Sequence, residues 1–176
     1  WGPPGSGKTT LARLVAQTAN ASFSAVSAVT SGVADLRRIV GEARENQAMH
    51  QQKTILFVGE IHRFNKSQQD VILPHVEDGT VTLVGATTEN PSFAVNGALL
   101  SRGRVFRLES LSDEALTRVI QRAVAEPGRG LGGKVEITDE GLEALVAGAS
   151  GDARRALTTL ETLAADRATI DAAAVS

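Results

Sequence analysis

The stretch GPPGSGKT at positions 2–9 limits the possible folds of this chain more than any other feature. It satisfies the pattern G-x-x-x-x-G-K-[ST] in full and is followed at once by apolar residues at helical spacing. Glycines let successive backbone N–H groups turn inward without a Cβ clash, and the start of a helix adds about half a positive charge. Because a polyphosphate fits such a cradle, a chance glycine turn at a helix cap is the weaker interpretation.

Two side chains of this stretch carry the predicted chemistry. Lys8 would neutralise the terminal phosphates, and the Thr9 hydroxyl would occupy a coordination position of Mg²⁺. ATP and Mg²⁺ are therefore the predicted cofactors, with Thr9 as the metal ligand. The predicted nucleotide-binding residues of this region are Gly2, Pro3, Pro4, Gly5, Ser6, Gly7, Lys8, Thr9 and the adjoining Thr10.

Helical and strand patterns alternate after the loop. Apolar spacing predicts a helix over 8–20 and a second one from Val33 that ends before the polar stretch 47–53. Short runs rich in β-branched and apolar residues predict four strands, at 23–26, 54–58, 81–85 and 105–108. This alternation predicts an α/β fold with a parallel sheet covered on both faces and a ligand site at the carboxyl ends of its strands.

A helical region is predicted to follow the sheet. From about Leu111 the strand patterns end, and three amphipathic helices are predicted at 113–125, 138–147 and 152–165. The glycine-rich segment 127–133 is typical of a loop between two helices. We therefore expect a nucleotide-binding α/β core over residues 1–110 and a small helical lid subdomain over 111–176.

Composition restricts the partners and the compartment. Eighteen Lys plus Arg against twenty Asp plus Glu give a net charge of −2, so any contact with DNA must come from local patches or from assembly. The chain has no cysteines, which excludes disulfides and thiolate ligands and fits a reducing cytoplasm. No apolar run approaches the roughly 20 residues needed to cross a bilayer, so no membrane partner is expected.

A carboxylate follows the apolar strand 54–58, in the sequence Gly59-Glu60. This placement is typical of the Walker B element of ATPases, in which an Asp helps to hold Mg²⁺ and the following Glu polarises the attacking water. Gly59 stands at the position of the Asp and offers no oxygen to the metal. We therefore predict nucleotide binding with weakened hydrolysis, and a solvated carboxylate at a strand end is the alternative for Glu60.

Four further stretches are more distinctive than the phosphate loop. They are EIHRFNK at 60–66, GATTENPSF at 85–93, LLSR at 99–102 and GDARRAL at 151–157. Together they closely resemble the replication-associated recombination protein A family, which includes the Werner-helicase-interacting ATPases. The resemblance spans nearly the whole chain. It implies an AAA+ ATPase of the clamp-loader-like clade that assembles as a homo-oligomer and acts on DNA at stalled or damaged replication forks.

The resemblance also implies a catalytic set of Glu60, Thr88 and Arg102. Thr88 would be the first sensor, which contacts the γ-phosphate or the attacking water, with Thr87 as the neighbouring alternative. Two threonines after a strand also cap turns. Arg102 would be the finger that reaches the ATP of a neighbouring subunit and stabilises charge in the transition state. Without the family, a surface arginine beside Arg104 is the simpler interpretation.

Arg154 is implied as the second sensor, through which the lid reports the nucleotide state, and Arg155 is the alternative. An arginine at a helix start opposes the macrodipole, which mildly favours an external anionic partner. His62 and Arg63 either position Glu60, contact DNA or a neighbour, or are solvated loop residues, and the sequence does not decide between these roles. His50 and His75 receive no role, because neither has a partner at a metal-ligand spacing.

The chain departs from the family pattern in three places. Gly59 replaces the Walker B aspartate, and Gly103 stands where the family usually has a cysteine, a change that loosens the approach to a strand. The phosphate loop begins at position 2, whereas a hydrophobic strand should precede it and lie between the strands around Val81 and Val105. We therefore expect the chain to be a fragment, without the region that forms tetramers in the family.

Two functions of different classes follow from the sequence. The first is the ATP-binding and hydrolysing core of a DNA-dependent ATPase in replication-fork maintenance and in recombination and repair. The second is a nucleotide-responsive assembly module with weak or no hydrolysis, because of Gly59. The partners that the resemblance implies are copies of the same protein in a tetramer, DNA with single-stranded regions, ends or forks, and single-strand-binding protein. The expected location is the cytoplasm, in association with the nucleoid in a bacterium.

Overall fold

A computed structural model describes residues 1–175. Their contacts divide the chain into two compact units. The first consists of Trp1–Gly2 and Lys8–Leu108, and the second of Pro3–Gly7 with the residues from Glu109 onward. Loop residues Pro3–Gly7 thus group with the helical part of the chain, which the local sequence pattern does not indicate.

The first unit is a three-stranded parallel sheet with helices. Its strands are β1 (Ser22–Ser27), β2 (Thr54–Gly59) and β3 (Val81–Ala86), in the spatial order β1-β2-β3. Its helices are α1 (Lys8–Thr18), α2 (Val33–His50), α3 (Lys66–Glu77) and α4 (Gly97–Leu100), with single 3-10 turns at Ile61–Arg63 and Pro91–Phe93. The parallel register pairs Ser27 with Gly59 and Gly59 with Ala86, so all three strands end at one edge.

The central strand β2 is buried on both faces, as expected for a continuous apolar run in a parallel sheet. Leu56 and Val58 face the cluster formed with α2 and α3, which contains Leu36, Ile39, Phe64 and Ile72. Phe57 faces the opposite side and packs with Ala12 of α1 and Ala86 of β3. Helices therefore cover both faces, and the predicted parallel α/β arrangement is confirmed.

Two local predictions are wrong. The second helix does not end before residue 47 but continues to His50, where Gln51 adopts a left-handed backbone and its N–H bonds the carbonyls of the last turn. Residues 105–108 do not form a strand. Their backbone bonds join Phe106 and Leu108 to Trp1, at 2.6 and 2.7 Å, and pairing with a single residue does not make a ladder.

The second unit is helical. Its helices are α5 (Asp113–Ala125), α6 (Asp139–Ala149), α7 (Ala153–Asp166) and α8 (Ala172–Val175), and two short parallel strands, β4 (Glu136–Ile137) and β5 (Thr169–Ile170), pair with each other. The side chains of Ser112, Thr138 and Asp152 cap α5, α6 and α7, which is the usual signal for a helix start. The three predicted helices are confirmed, whereas β4, β5 and α8 were not predicted.

Among residues 1–175, no helix combines the length and the apolar character that crossing a membrane requires.

Candidate functional site

The start of the phosphate loop is anchored at the end of β3. The Gly2 N–H donates to the carbonyl oxygen of Thr87 at 3.1 Å. The Lys8 ammonium, at the start of α1, donates to the Gly2 carbonyl oxygen at 2.7 Å. The Lys8 side chain therefore turns back toward the start of the loop, and Thr9 and Thr10 lie exposed in the first turn of α1.

The glycines of the loop have backbones that other residues rarely adopt. Gly5 and Gly7 have φ values of +66° and +86°. A Cβ at Gly7 would meet no heavy atom within 4 Å, whereas a Cβ at Gly5 would overlap with the Asp152 carboxylate. A left-handed glycine turn with an open side, ahead of a helix N-terminus, presents backbone N–H groups to an anion. The residues present therefore fit a polyphosphate.

Glu60 follows β2 in a strained conformation. Its φ and ψ are +56° and +46°, in the left-handed region, which costs a residue with a side chain about 1–2 kcal/mol. The Glu60 carbonyl oxygen accepts the Arg63 N–H at 2.8 Å and so begins the 3-10 turn. The Glu60 side chain is 45% exposed. Such strain in a non-glycine residue at a strand end is typical of functional sites.

A histidine connects Glu60 with the end of β3. The His62 Nδ1 lies 2.9 Å from the Thr87 hydroxyl and 3.5 Å from a Glu60 carboxylate oxygen. Its Nε2 lies 3.3 Å from a Glu89 carboxylate oxygen. The sequence left the role of His62 open, and its position two residues after Glu60 was the only signal. In the structure its side chain is largely buried and has three polar neighbours, so it is not a solvated loop residue.

The two candidate sensor threonines differ in exposure. Thr87 is 2% exposed, and its hydroxyl contacts His62 and accepts the Glu89 N–H at 3.0 Å. Thr88 is exposed. A hydroxyl that is already engaged with protein groups is less available to a nucleotide, so the geometry favours Thr88 as the sensor.

Arg102, the candidate finger, is engaged within its own chain. Its guanidinium makes an ion pair with Glu77 at the end of α3, at 2.6 Å, and donates to the Ala98 carbonyl oxygen of α4 at 2.8 Å. Both charged side chains are more than 40% exposed, so the pair is weak by itself and another anion can replace Glu77.

The two candidate arginines of the helical unit are alike in structure. The Asp152 carboxylate caps α7 by accepting the N–H groups of Arg154 and Arg155, at 2.9 and 3.1 Å. Both arginine side chains are exposed at the helix start. The structure therefore leaves the choice between Arg154 and Arg155 open.

The described residues contain no group of three or more His, Cys, Asp or Glu side chains arranged to hold a metal ion. A Mg²⁺ ion bound through Thr9, phosphates and water does not require such a group. The assignment of Thr9 as the metal ligand stays a prediction.

The family model named "ATPase family associated with various cellular activities", or AAA, matches residues 1–112. This is more than half of the 176 residues, and the chain belongs to the AAA family of ATPases. Its fold agrees with that of the Holliday junction branch migration motor RuvB of Thermotoga maritima, with a TM-score of 0.75 and 28% identity, over 99% of this chain and 57% of that one. The predicted AAA+ fold class is confirmed.

Within the family, the chain is similar to replication-associated recombination protein A. It is 55% identical to the Escherichia coli K12 protein of that name, over 97% of this chain and 38% of the relative. It is 47% identical to ATPase WRNIP1 of Dictyostelium discoideum, over 92% of this chain and 18% of the relative. The resemblance predicted from the sequence motifs is confirmed, and the chain spans less than two fifths of the length of these relatives.

Proposed function

We propose that the chain is the ATP-binding and hydrolysing core of an AAA+ ATPase that acts on DNA in replication-fork maintenance and in recombination and repair. The observation that carries the proposal is the complete phosphate loop together with Glu60 at the carboxyl end of the neighbouring parallel strand β2. The names of the relatives, which refer to replication-associated recombination and to branch migration, support DNA as the substrate.

Each candidate residue has a role in this proposal. Lys8 offsets the charge of the phosphoryl oxygens, and Glu60 accepts a proton from the attacking water. The Thr88 hydroxyl orients the γ-phosphate or the water. Arg102 of a neighbouring subunit stabilises the charge of the transition state, and Arg154 couples the nucleotide to the lid. Thr9 would hold Mg²⁺ in part, and the bound ion would neutralise phosphate charge.

The proposal extends to the domains, the oligomer, the partners and the cellular compartment. We propose a nucleotide-binding core over residues 1–110 and a lid over 111–176, in a homo-oligomer that is a tetramer in the full-length protein. DNA with single-stranded regions, ends or forks is the proposed substrate, and single-strand-binding protein is a proposed partner. The cytoplasm is the proposed compartment, because DNA is handled there in bacteria.

A nucleotide-responsive assembly module with weak hydrolysis is the second candidate, and Gly59 favours it. Gly59 lacks a metal-binding oxygen, and a Cβ at this position would make only ordinary contacts, at 3.6 Å to Phe57 and 3.7 Å to Val26. The packing therefore does not require a glycine at the Cβ position of residue 59.

Phosphate release by the full-length protein, measured with Mg²⁺ and forked DNA, tests the proposal. We expect DNA-stimulated turnover in the parent and loss of nucleotide binding in Lys8→Ala. Lys53→Ala, which removes an exposed lysine ahead of β2, serves as the matched control and should bind like the parent. Parental binding in Lys8→Ala, or no Mg²⁺-supported affinity of the parent for adenine nucleotides, would overturn the proposal. Binding without turnover would favour the assembly module.

A further inference from the structure

His62 lies where the turn after β2 meets the end of β3. Its side chain is only 10% exposed, although the residue belongs to a short 3-10 turn. The Thr87 hydroxyl, 25 positions along the chain, is its nearest polar neighbour at 2.9 Å. The contact therefore joins two separate strand ends rather than stabilising the turn locally.

The packing beneath His62 makes this contact possible. Ile61, the residue before it, is 4% exposed and lies over Gly85 of β3. A Cβ at Gly85 would approach the Ile61 Cδ1 to 2.7 Å, closer than side chains tolerate. Because Gly85 has no side chain, Ile61 settles onto β3 and brings the His62 ring within hydrogen-bonding distance of Thr87.

Both ring nitrogens of His62 have polar neighbours. The Thr87 hydroxyl oxygen accepts the Glu89 N–H at 3.0 Å, and its second lone pair can accept an Nδ1–H of His62 at 2.9 Å. The Nε2–H can then donate toward the Glu89 carboxylate, 3.3 Å away. An unprotonated ring nitrogen only accepts hydrogen bonds, so the Nδ1 edge attracts a carboxylate through an Nδ1–H. The Nδ1 edge also faces the Glu60 carboxylate at 3.5 Å.

Glu60 needs such support because its backbone is in the left-handed region, and strained residues persist only when their surroundings hold them. We propose that His62 is a positioning residue: an Nδ1–H shared between the Thr87 hydroxyl oxygen at 2.9 Å and the Glu60 carboxylate at 3.5 Å holds that carboxylate in place and links it to Thr87, the neighbour of the sensor Thr88. This inference rests on the proposed ATPase function and adds a residue to it. Through this link, a movement of the sensor segment on nucleotide binding or hydrolysis reaches the residue that accepts the proton of the water.

The first test separates kcat from KM in the full-length protein. Asparagine can place a polar atom near the position of Nδ1, and glutamine near that of Nε2, so His62→Asn should keep most of the turnover. His62→Gln and His62→Ala should lower kcat about 10- to 100-fold through misplacement of Glu60, with the KM and Kd for ATP within about two-fold. His50→Asn, at an exposed histidine in the last turn of α2, is the matched control.

The outcomes of this test are distinct. If His62→Ala and His62→Gln turn over ATP like the parent, or if His62→Asn is as slow as His62→Ala, the inference is wrong and the ATPase function stands. If the parent itself neither binds nor hydrolyses ATP, the proposed function fails instead. If His62→Ala does not fold, Thr87→Val tests the same link, because it replaces only the hydroxyl by a methyl group. Thr87→Val should lower kcat as His62→Ala would. Thr87→Ser, which keeps the hydroxyl, should turn over ATP like the parent.

A second test does not depend on turnover. The ring ¹⁵N signals of His62 in the full-length protein are assigned as those that disappear in His62→Asn. Thr87→Val should shift the Nδ1 signal and Glu89→Gln the Nε2 signal, and addition of a non-hydrolysable ATP analogue to the parent should shift the Nδ1 signal. An Nδ1 signal that is the same in the parent and in Thr87→Val would show that the link does not exist.

Discussion

Among individual residues, Gly59 and Glu60 contribute different properties to the end of β2. Glu60 carries the carboxylate and the backbone strain, whereas Gly59 continues β2 and pairs with Ser27 and Ala86 on its two sides. The Gly59 carbonyl oxygen accepts the Ala28 N–H at 3.0 Å. These interactions use only backbone atoms of Gly59, so we expect a substitution at position 59 to preserve the ladder.

Gly59→Asp should raise the rate of ATP hydrolysis by about ten-fold, equivalent to about 1.4 kcal/mol in the activation free energy. The added carboxylate supplies a metal-binding oxygen that Gly59 does not have. Gly59→Asn has the same size without the charge and is the control. The measurement is kcat as a function of Mg²⁺ concentration, and equal rates for the parent and Gly59→Asp would refute our account of the metal site.

Gly5→Ala and Gly7→Ala form a second matched pair at the residue scale. Both place a Cβ on a left-handed backbone, at about 1–2 kcal/mol, but only the Cβ at Gly5 overlaps with Asp152. Gly5→Ala should therefore be the less stable variant, by about a further 1–3 kcal/mol of overpacking. Urea unfolding of both variants checks this, and equal midpoints would contradict it.

At the element scale, α3 is held at its start by a reciprocal cap. The Asn65 side chain accepts the Gln68 N–H, and the Gln68 side chain accepts the Asn65 N–H, both at 2.9 Å. The Gln68 amide also donates to the Ser31 carbonyl oxygen at 2.7 Å, so the cap ties α3 to the segment that follows β1. The turn that carries His62 lies immediately before this cap.

Asn65→Ala should lower the free energy of unfolding by about 1 kcal/mol, because it leaves a helix-start N–H without its partner. Ser67→Ala, at an exposed position in the same turn, should be neutral within about 0.5 kcal/mol. Chemical denaturation of the two variants gives the comparison. An equal effect of both substitutions would show that the cap contributes nothing.

Asp78, at the C-terminal end of α3, makes the free energy of unfolding depend on pH. Hydrogen bonds from the Thr80 side chain and backbone lower the pKa of the Asp78 carboxyl below its ordinary value of 3.8. A lowered pKa stabilises the fold above pH 3.8, and this stabilisation is lost as the pH falls through the lower, folded-state pKa. The stability difference between the parent and Asp78→Ala should therefore shrink between pH 5 and pH 2. If the stability difference between the two proteins grew on acidification, the pKa of Asp78 would not be lowered in the folded state.

At the scale of the whole molecule, Arg102 and Glu60 are proposed to act in different subunits. Mixing Arg102→Ala and Glu60→Gln subunits should then restore part of the turnover, because the two substitutions leave both required groups intact at some hybrid interfaces. Each variant alone should be slow, since losing an arginine finger costs about 10³–10⁵ in kcat. Phosphate release from mixtures of defined ratio measures this, and a silent mixture would argue against action between subunits.

Much of the fold and part of the site follow from local sequence. Three kinds of element could be predicted: strands β1, β2 and β3, the helix after the loop, and the helices α5, α6 and α7. Their periodicity and capping residues are properties of neighbouring positions. The phosphate loop could be predicted because its glycines and Lys8 act through their own backbone and helix. The position of Glu60 at the end of β2 could be predicted because the residue directly follows the apolar run of that strand.

Three features could not be predicted from local sequence, because each depends on contacts between distant segments. The His62 link to Thr87 spans 25 positions, and no spacing within one segment encodes a contact between two strand ends. The difference between Thr87 and Thr88 depends on which of them is buried. Residues 105–108 have strand-like composition but no ladder, because a strand exists only by pairing. Local sequence was enough to predict the phosphate loop, because its glycines and its lysine are neighbours along the chain. The neighbours of the Glu60 carboxylate depend on the packing of Ile61 on Gly85, which joins two separate strands.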